Sequence, residues 1–445
     1  MYGQQTPAKE ARTIAASMVE ARALTDKLFR MVRPESFYER PIPERHRILF
    51  YLGHLEAFDW NLIGRNILGL DSFQKEFDRL FAFGIDPVGG GLPSDQPSDW
   101  PSVAEVERYN RRVRQMLDAA LEKASFSDPA LPLLRDGYAL HVALEHRLMH
   151  AETFAYMLHQ LPLESKLCQK QASLPVAPPA TPAMAKIPTG VATLGMTRIQ
   201  GNTFGWDNEF ESQEVAVPEF TIDVHNVTNR QFLDFMRAGG YEDRKFWRNS
   251  DWEWKEERGI EHPFFWTLRG HRWFYRAMFE EIPLPLDWPV YVSHAEASAY
   301  ARWAGKELPT EAQFHRAAFG TANGAERDYP WGSQLPQPHL GNFDFERWDP
   351  AAVGSYPSGR SAFGVADLVG NGWEWTSTVF APLPGFQAFP FYPGYSADFF
   401  DGKHFVIKGG SARTAGRLLR RSFRNWFQSH YPYLYAKFRC VTSAF

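Results

Sequence analysis

The sequence predicts a multidomain protein in which an all-α bundle precedes an α+β domain. Three observations lead to this prediction: long segments with helical periodicity in the first third, a Pro/Ala-rich stretch after them, and Gly- and aromatic-rich sequence beyond it. A chain of 445 residues is long enough for two or three domains with separate cores. We place the helical domain at 1–165, a linker at 166–188 and the α+β domain at 189–445.

The helical domain is predicted from four segments: 8–31, 44–68, 104–126 and 133–160. In each of them apolar residues recur at spacings of three and four, as in a helix that buries one face. Prolines, among them Pro41, Pro43 and Pro87, separate the segments. Four long helices in succession predict an up-and-down four-helix bundle.

The linker and the second domain are predicted from a change in composition. Residues 171–188 read QASLPVAPPATPAMAKIP, which is rich in Pro and Ala and has no periodicity. Beyond them we predict helices near 228–238, 294–304 and 309–318, separated by irregular, aromatic-rich stretches. This pattern is typical of a loop-rich α+β domain with little regular sheet, in which loop side chains are available for a binding site.

Charge and cysteine content exclude several classes of function. The net charge is −4 and no run of Lys or Arg exceeds two residues, so nothing indicates a nucleic-acid or anionic-membrane partner. Two cysteines, Cys168 and Cys440, are too few for a disulfide framework or a cysteine-rich metal site. The sequence has neither a signal-peptide core nor an apolar stretch of about 18 residues, which predicts a cytoplasmic protein.

A metal site is predicted from histidines on two of the bundle helices. His146 and His150 are four residues apart in ALEHRLMHAETFAYML, so both imidazoles project from one helical face. His54 lies beside an apolar stripe of the second helix, RILFYLGHLEAFDWNLI. A lone histidine in such a place is more often a core residue, but together with the pair it is the third candidate ligand. Three neutral imidazoles leave coordination positions open on a bound ion. Spacing alone does not choose the metal, since zinc also accepts three histidines.

Two other residues of the same segment are weaker candidates for the site. His141 lies one helical face away from the pair and is a less favoured ligand. Glu152 points to an adjacent face, where it is either a hydrogen-bond acceptor for an imidazole N–H or a solvated charge.

Motifs in both halves resemble a known family. His146-x3-His150-x-Glu152 with an upstream helical histidine resembles the DinB-like bundle of the ergothioneine-type (EgtB-like) sulfoxide synthases. The second half resembles the formylglycine-generating-enzyme-like domain, which has a C-type-lectin-like α+β fold. The motifs that carry this second resemblance are VHNVTNRQF (224–232), PVYVSHAEASAYARWAGKELPTEAQF (289–314), GNGWEWT (370–376), IKGGSAR (407–413) and KFRC (437–440).

The resemblance implies a cofactor, three substrates and further contacts. It implies mononuclear non-haem Fe(II) on the three histidines, hercynine (trimethylhistidine) bound through its imidazole, and O2-driven joining of a thiol sulfur to the imidazole carbon. Asn425 and Trp426 match an Asn-Trp pair that holds the trimethylammonium group in this family, a contact that cation–π attraction favours. The alternative explanation of Trp426 is core packing.

Three departures from the family pattern concern residues that contact the substrates. Met149 stands where the family commonly has a substrate-contacting Gln, and Phe427 where one branch has an acid for the donor amine. The loop LFAFGIDPVGGGLPSD (80–95) lacks the arginines that bind the carboxylates of γ-glutamylcysteine in that branch. The absence of the arginines and of the acid predicts a less charged donor. They favour the selenoneine synthase branch, which joins hercynine to a selenosugar; the alternative is an ergothioneine sulfoxide synthase that uses cysteine or another thiol.

The proton donor and the class of function have further alternatives. Tyr392 and Tyr395 are the candidates for the family's proton-donating tyrosine, although neither aligns securely. Formylglycine generation itself uses paired active-site cysteines, which Cys168 and Cys440 do not resemble. A zinc hydrolase and a non-catalytic module that binds a metal or ligand are the alternatives from other classes.

Overall fold

The computed structural model describes four stretches of the chain: residues 7–82, 92–169, 180–198 and 204–443. The chain divides into two compact units, Met1–Lys170 with Gln200–Phe204, and Gln171–Ile199 with Gly205–Phe445. The first unit is helical and the second mixes helices with short sheets. The predicted fold class, an α domain followed by an α+β domain, is therefore confirmed.

The described part of the helical unit contains five α-helices, α1 to α5: Pro7–Phe29, Ile48–Asp59, Lys75–Leu80, Val103–Lys123 and Tyr138–Gln160. Helix α1 packs against α5, and α2 packs against both α4 and α5. The four long helices lie where the periodicity predicts them. The short α3 was not predicted, since six residues hold less than two turns of a periodic pattern.

Helix α2 continues directly into a π-helix at Trp60–Ile67. Such segments in helices occur frequently at functional sites. Asp78 of α3 connects the π-helix to α4. Its carboxylate accepts hydrogen bonds from the Trp60 indole at 3.2 Å and the Tyr109 hydroxyl at 2.7 Å. The π-helix thus has a fixed position at the end of α2.

In the mixed unit, the described helices α6 to α9 span Asn229–Arg237, Asn249–Arg258, His294–Trp303 and Glu311–Phe319. The first, third and fourth begin at capping boxes, in which a Ser or Thr bonds the amide three residues on and a Glu or Gln bonds back. These three are the helices predicted from the sequence. Helix α7 was not predicted, because its sequence NSDWEWKEER has little apolar periodicity.

Short strands form four small sheets in the described part of this unit. The strands β1 to β12 are Met184–Ile187, Gly190–Leu194, Gln213–Val217, Phe220–Asp223, Trp266–Arg269, Arg272–Arg276, Glu281–Pro283, Trp373–Val379, His404–Lys408, Asn425–Gln428, Ala436–Lys437 and Val441–Ser443. The sheet orders are β1-β4-β12, β2-β3, β5-β6-β7 and β10-β9-β8-β11, and only β11 pairs in parallel, with β8. Strand β1 begins within residues 166–188, the range that the sequence predicts as a linker. At the other end of that range, Lys166 pairs with Val32 of the helical unit.

The core of the mixed unit lies between α9 and the sheets. Its buried side chains include Ile187, Phe220, Ile222, Phe314, Phe319, Leu368 and Val441. Within the described ranges, no helix is both long and apolar enough to span a bilayer.

Candidate metal centre

Three histidines from two helices converge inside the helical unit. His54 comes from α2, and His146 and His150 come from successive turns of α5. Their nitrogen atoms, one from each ring, all lie within 4.8 Å of one another. Each side chain is no more than 4% exposed. The structure thus brings together the three residues that the sequence predicts as ligands.

A backbone carbonyl orients the His54 ring. Its Nδ1 lies 2.7 Å from the carbonyl oxygen of Phe81, which follows α3. Because a carbonyl only accepts, Nδ1 carries the proton and Nε2 keeps its lone pair. Hydrogen bonding of the far nitrogen to a carbonyl is the usual arrangement of a metal-binding histidine.

Phenylalanine rings fix the planes of two imidazoles. Phe58 stacks on His146 with a centroid separation of 3.5 Å and an interplanar angle of 10°. Phe50 stacks on His54 at 4.9 Å and 24°. Both phenylalanines lie on α2, at positions four residues before and four residues after His54. The apolar stripe of α2 therefore holds the rings as well as packing the bundle.

Burial keeps all three imidazoles neutral at ordinary pH. Desolvation is the largest influence and lowers the pKa of His54 to about 4, although the Phe81 hydrogen bond opposes it. Desolvation also lowers the pKa values of His146 and His150 well below the usual value, and the neighbouring imidazoles and Arg147 act in the same direction. Neutral imidazoles are the form that binds metal ions.

The residues present fit a divalent metal ion. Among the described residues, none hydrogen-bonds a ring nitrogen of His146 or His150. Burying a polar group without a partner costs about 1–3 kcal/mol. A cation that accepts the lone pairs would offset this cost. Three imidazole nitrogens suit iron or zinc, and they leave positions open for further ligands.

Glu152 and His141 both lie on α5 and are not part of the histidine cluster. Glu152 is 7% exposed, so it is not a solvated charge. Within the described part of the chain, the ring nitrogens of His146 and His150 have no hydrogen-bond partner, and the Phe81 carbonyl accepts from His54 Nδ1, so a role of Glu152 beside the imidazoles stays a prediction. His141 lies on α5 but outside the cluster, and its ring stacks on Phe204 at 5.1 Å.

Asn425 and Trp426 lie in β10 of the mixed unit, paired with Ile407 and Val406 of β9. Trp426 is half-buried, and Phe380 stacks on its indole at 4.2 Å and 7°. Tyr395 meets the same indole edge-on at 5.5 Å. Packing therefore accounts for part of the environment of Trp426, and its contact with a substrate stays a prediction.

The residues that depart from the family pattern lie in both units. Met149 is half-buried on α5, between His146 and His150, and Phe427 is half-buried in β10. The ring of Phe427 stacks on Tyr431 at 5.2 Å and 28°. Residues 83–91 of the arginine-free loop lie outside the described residues.

The two candidate tyrosines lie close to Asp207 and Trp206. Burial raises the pKa of Tyr392 to about 12, and the Asp207 carboxylate adds to the effect. Tyr392 therefore keeps its proton at neutral pH, as a proton donor must. Tyr395 stacks on Trp206 at 4.0 Å and 23°.

Cys168 and Cys440 do not resemble a pair of catalytic thiols. Cys168 is exposed in the helical unit, whereas Cys440 is buried in the mixed unit, and both are free thiols. Burial raises the pKa of Cys440, which suppresses the reactive thiolate.

Two family models match the chain, one for each unit. Residues 170–444 match the sulfatase-modifying factor enzyme 1-like domain, and residues 17–154 match the DinB superfamily. Together with the buried histidines, they define a class of proteins in which a DinB-type helical domain precedes a sulfatase-modifying-factor-like domain.

Curated relatives resolve this class further. The chain is 37% identical to a hercynine oxygenase of Mycolicibacterium smegmatis over 79% of this chain and 80% of that one. It is 35% identical to a hercynine oxygenase of Mycolicibacterium thermoresistibile over 73% and 72% of the two chains. It is 27% identical to ergothioneine biosynthesis protein 1 of Neurospora crassa, over 92% of this chain and 55% of that protein. The chain therefore belongs to the hercynine oxygenase family, and the relatives' names indicate an oxidative enzyme.

Proposed function

We propose that this protein is an Fe(II)- and O2-dependent synthase that joins a selenosugar to the imidazole carbon of hercynine by a carbon–selenium bond. The observation that carries the proposal is the buried cluster of His54, His146 and His150 in a member of the hercynine oxygenase family. The alternative within the same class is a carbon–sulfur bond formed with cysteine or another thiol.

Each ligand histidine has a defined part in this proposal. His54 presents Nε2, because its Nδ1 proton is held by Phe81, and α5 supplies His146 and His150. Bound iron would supply the one-electron chemistry that O2 requires. Burial of the three side chains keeps bulk water away from the reacting atoms.

The overall reaction balances with one O2 for each product. The imidazole C–H and the donor Se–H bonds break, a C–Se bond forms, and this joining releases two electrons. Oxidation of selenium to the selenoxide releases two more. O2 accepts all four, so that one oxygen atom remains on selenium and the other leaves in water with the two protons. The same balance holds for sulfur and a sulfoxide.

Trp426 and Asn425 are proposed to hold the trimethylammonium betaine of hercynine. Replacing Trp426 with Leu should weaken hercynine binding about 2- to 30-fold, because a cation–π contact contributes roughly 0.5–2 kcal/mol. Calorimetric titration with hercynine and with histidine measures the effect. Binding of histidine, which has no quaternary ammonium, should change much less.

A matched control for Trp426 is Trp331, which is also a half-buried, stacked tryptophan of the mixed unit. Trp331→Leu should leave the hercynine dissociation constant unchanged. Equal weakening of hercynine and histidine binding by Trp426→Leu would assign Trp426 to packing alone.

Donor selectivity distinguishes the selenosugar from a charged thiol. Iron-loaded protein should be given hercynine and O2 with selenosugar, cysteine and γ-glutamylcysteine in separate assays. We expect kcat/KM for the selenosugar to exceed that for γ-glutamylcysteine at least about 100-fold, since each missing charged hydrogen bond is worth roughly 1.5–3 kcal/mol. Comparable turnover with γ-glutamylcysteine would refute the selenosugar proposal, and preferred turnover of cysteine would favour the alternative.

A gain-of-function variant sharpens this test. Phe427→Asp introduces the acid that one branch of the family uses for the donor amine. It should raise kcat/KM for γ-glutamylcysteine relative to the wild type and lower it for the uncharged donor. Phe427→Leu is the control, since it removes the ring without adding a charge.

A further inference from the structure

A buried arginine joins the two helices that carry the three histidines. Arg147 directly follows His146 on α5 and is 2% exposed. Its guanidinium donates to three acceptors on α2: the Leu55 carbonyl at 3.1 Å, Glu56 Oε1 at 3.0 Å and Asp59 Oδ2 at 2.7 Å. These acceptors follow His54 within five residues, so Arg147 connects the helices at the level of the cluster.

The acceptors on α2 are themselves unusual. Glu56 and Asp59 are the only charged residues between positions 48 and 64, and they are 1% and 0% exposed. Both side chains face Arg147, three residues apart on one side of the helix. The π-helix begins at Trp60, immediately after Asp59. Arg147 therefore holds the last turn of α2 before its helical geometry changes.

Arg114 extends the cluster from α4, a helix that carries none of the three histidines. It lies on α4, donates to Glu56 at 2.6 Å and to Asp26 of α1 at 2.7 Å, and is about a quarter exposed. Arg114 and Arg147 thus share one carboxylate. They differ in that only Arg147 is covalently adjacent to a ligand histidine.

Stability alone does not explain this arrangement. The desolvation cost of a buried ion pair is large, and such pairs are weak evidence for stability; setting register is their best-attested use. Packed apolar faces allow one helix to rotate or shift slightly against another. A planar guanidinium that donates to three fixed acceptors does not allow such movements. A metal site requires its ligands within about 0.5 Å of the productive geometry.

We infer that Arg147 is a positioning residue that fixes the register of α5 against α2, so that His146 and His150 meet His54 in metal-binding geometry. This inference rests on the proposed function in one respect, namely that the cluster binds a metal.

The test compares Arg147→Lys with Arg114→Lys in the full-length apo protein. Lysine keeps the charge and loses the fork. Cobalt(II) serves as the probe, because its visible absorption reports the coordination geometry. We expect Arg147→Lys to weaken cobalt binding about 10- to 100-fold, the usual effect of removing a group that orients metal ligands, and to change the spectrum. Arg114→Lys should leave affinity within about 3-fold and the spectrum unchanged, even if its Tm falls.

A charge-neutral variant covers the case in which Arg147→Lys does not fold. Arg147→Met combined with Glu56→Gln and Asp59→Asn leaves no unpaired buried charge at these three positions, so it should fold. It should still show weakened cobalt binding. Wild-type affinity and spectrum in a folded Arg147 variant would overturn the inference and leave the proposed function intact. Absence of cobalt binding in the wild type would instead refute the metal site itself.

Discussion

Replacing His146 and His150 together with alanine should reduce bound iron from about one ion per chain to less than about a tenth. The reason is that two of the three nitrogen donors are lost, and within the described residues no other group of three potential ligands comes together. Turnover of hercynine should fall to the background rate. Metal analysis after anaerobic loading and desalting measures the first effect, and product analysis measures the second.

His141→Ala is the matched control for the double variant. His141 lies on the same helix but outside the cluster. Its replacement should leave iron content unchanged. Full iron occupancy in the folded double variant would place the metal elsewhere and contradict the proposed site.

The second large effect is expected at Glu374. This residue lies in the GNGWEWT motif (370–376), and its two partners lie in the KFRC motif (437–440). Its carboxylate accepts from Lys437 Nζ at 2.9 Å, and from Arg439 Nη2 at 2.6 Å and Nε at 2.8 Å. All three side chains are fully buried. Glu374→Gln removes the carboxylate charge that both cations contact, and breaking a buried ion pair in this way costs roughly 3–5 kcal/mol.

The pH dependence of stability follows from the same contacts. Burial alone would raise the pKa of Glu374, but Arg439 and Lys437 outweigh it and hold the pKa at about 2. Because the pKa of Glu374 is lower in the folded state than its ordinary value of 4.5, the ionised carboxylate stabilises the fold above pH 4.5. This contribution is lost as the pH falls from 4.5 towards 2. The shift corresponds to about 3 kcal/mol. The wild type should therefore lose its advantage over Glu374→Gln across that interval.

Lys437 and Arg439 contribute differently to this cluster. Burial lowers the pKa of Lys437, the opposite of what its ion pair alone would do, since desolvation outweighs the attraction of Glu374. Arg439 makes the more directional contact, because its guanidinium donates two hydrogen bonds to the Glu374 carboxylate.

Chemical denaturation of both proteins between pH 2 and 7 measures the effect of Glu374→Gln. Glu219→Gln is the control, since Glu219 forms an exposed pair with Lys186 at 2.8 Å. That variant should cost less than about 1 kcal/mol. A loss of similar size in both variants, or a constant difference across the acid range, would contradict the role assigned to Glu374.

Local spacing was sufficient to predict part of the candidate site. His146 and His150 share a face because a helix repeats every 3.6 residues, so their convergence follows from four intervening steps along α5. His54 was predicted as the third ligand because it lies on another helix of the same bundle as the His146 and His150 pair. In the structure the three side chains lie close together, as a shared site requires.

The groups that orient these ligands were not predicted, for two physical reasons. The Phe81 carbonyl is a backbone atom, so no residue type marks it in the sequence. The partners of Arg147 lie about 90 residues away in the chain, and only packing brings them together. A signal did exist: two acids three residues apart in the otherwise uncharged stretch 48–64 indicate a buried cation on a neighbouring helix.

Oxygen uptake by the metal-loaded protein tests the central proposal most directly. Apo protein should be loaded anaerobically with Fe(II) or, in parallel, with Zn(II), and then given hercynine, selenosugar and O2. We predict that the iron-loaded protein consumes one O2 for each hercynine converted, and that the zinc-loaded protein consumes none. Conversion without O2, equal conversion with zinc, or stoichiometric iron binding with no conversion of hercynine by any donor would contradict an iron-dependent oxidative synthase.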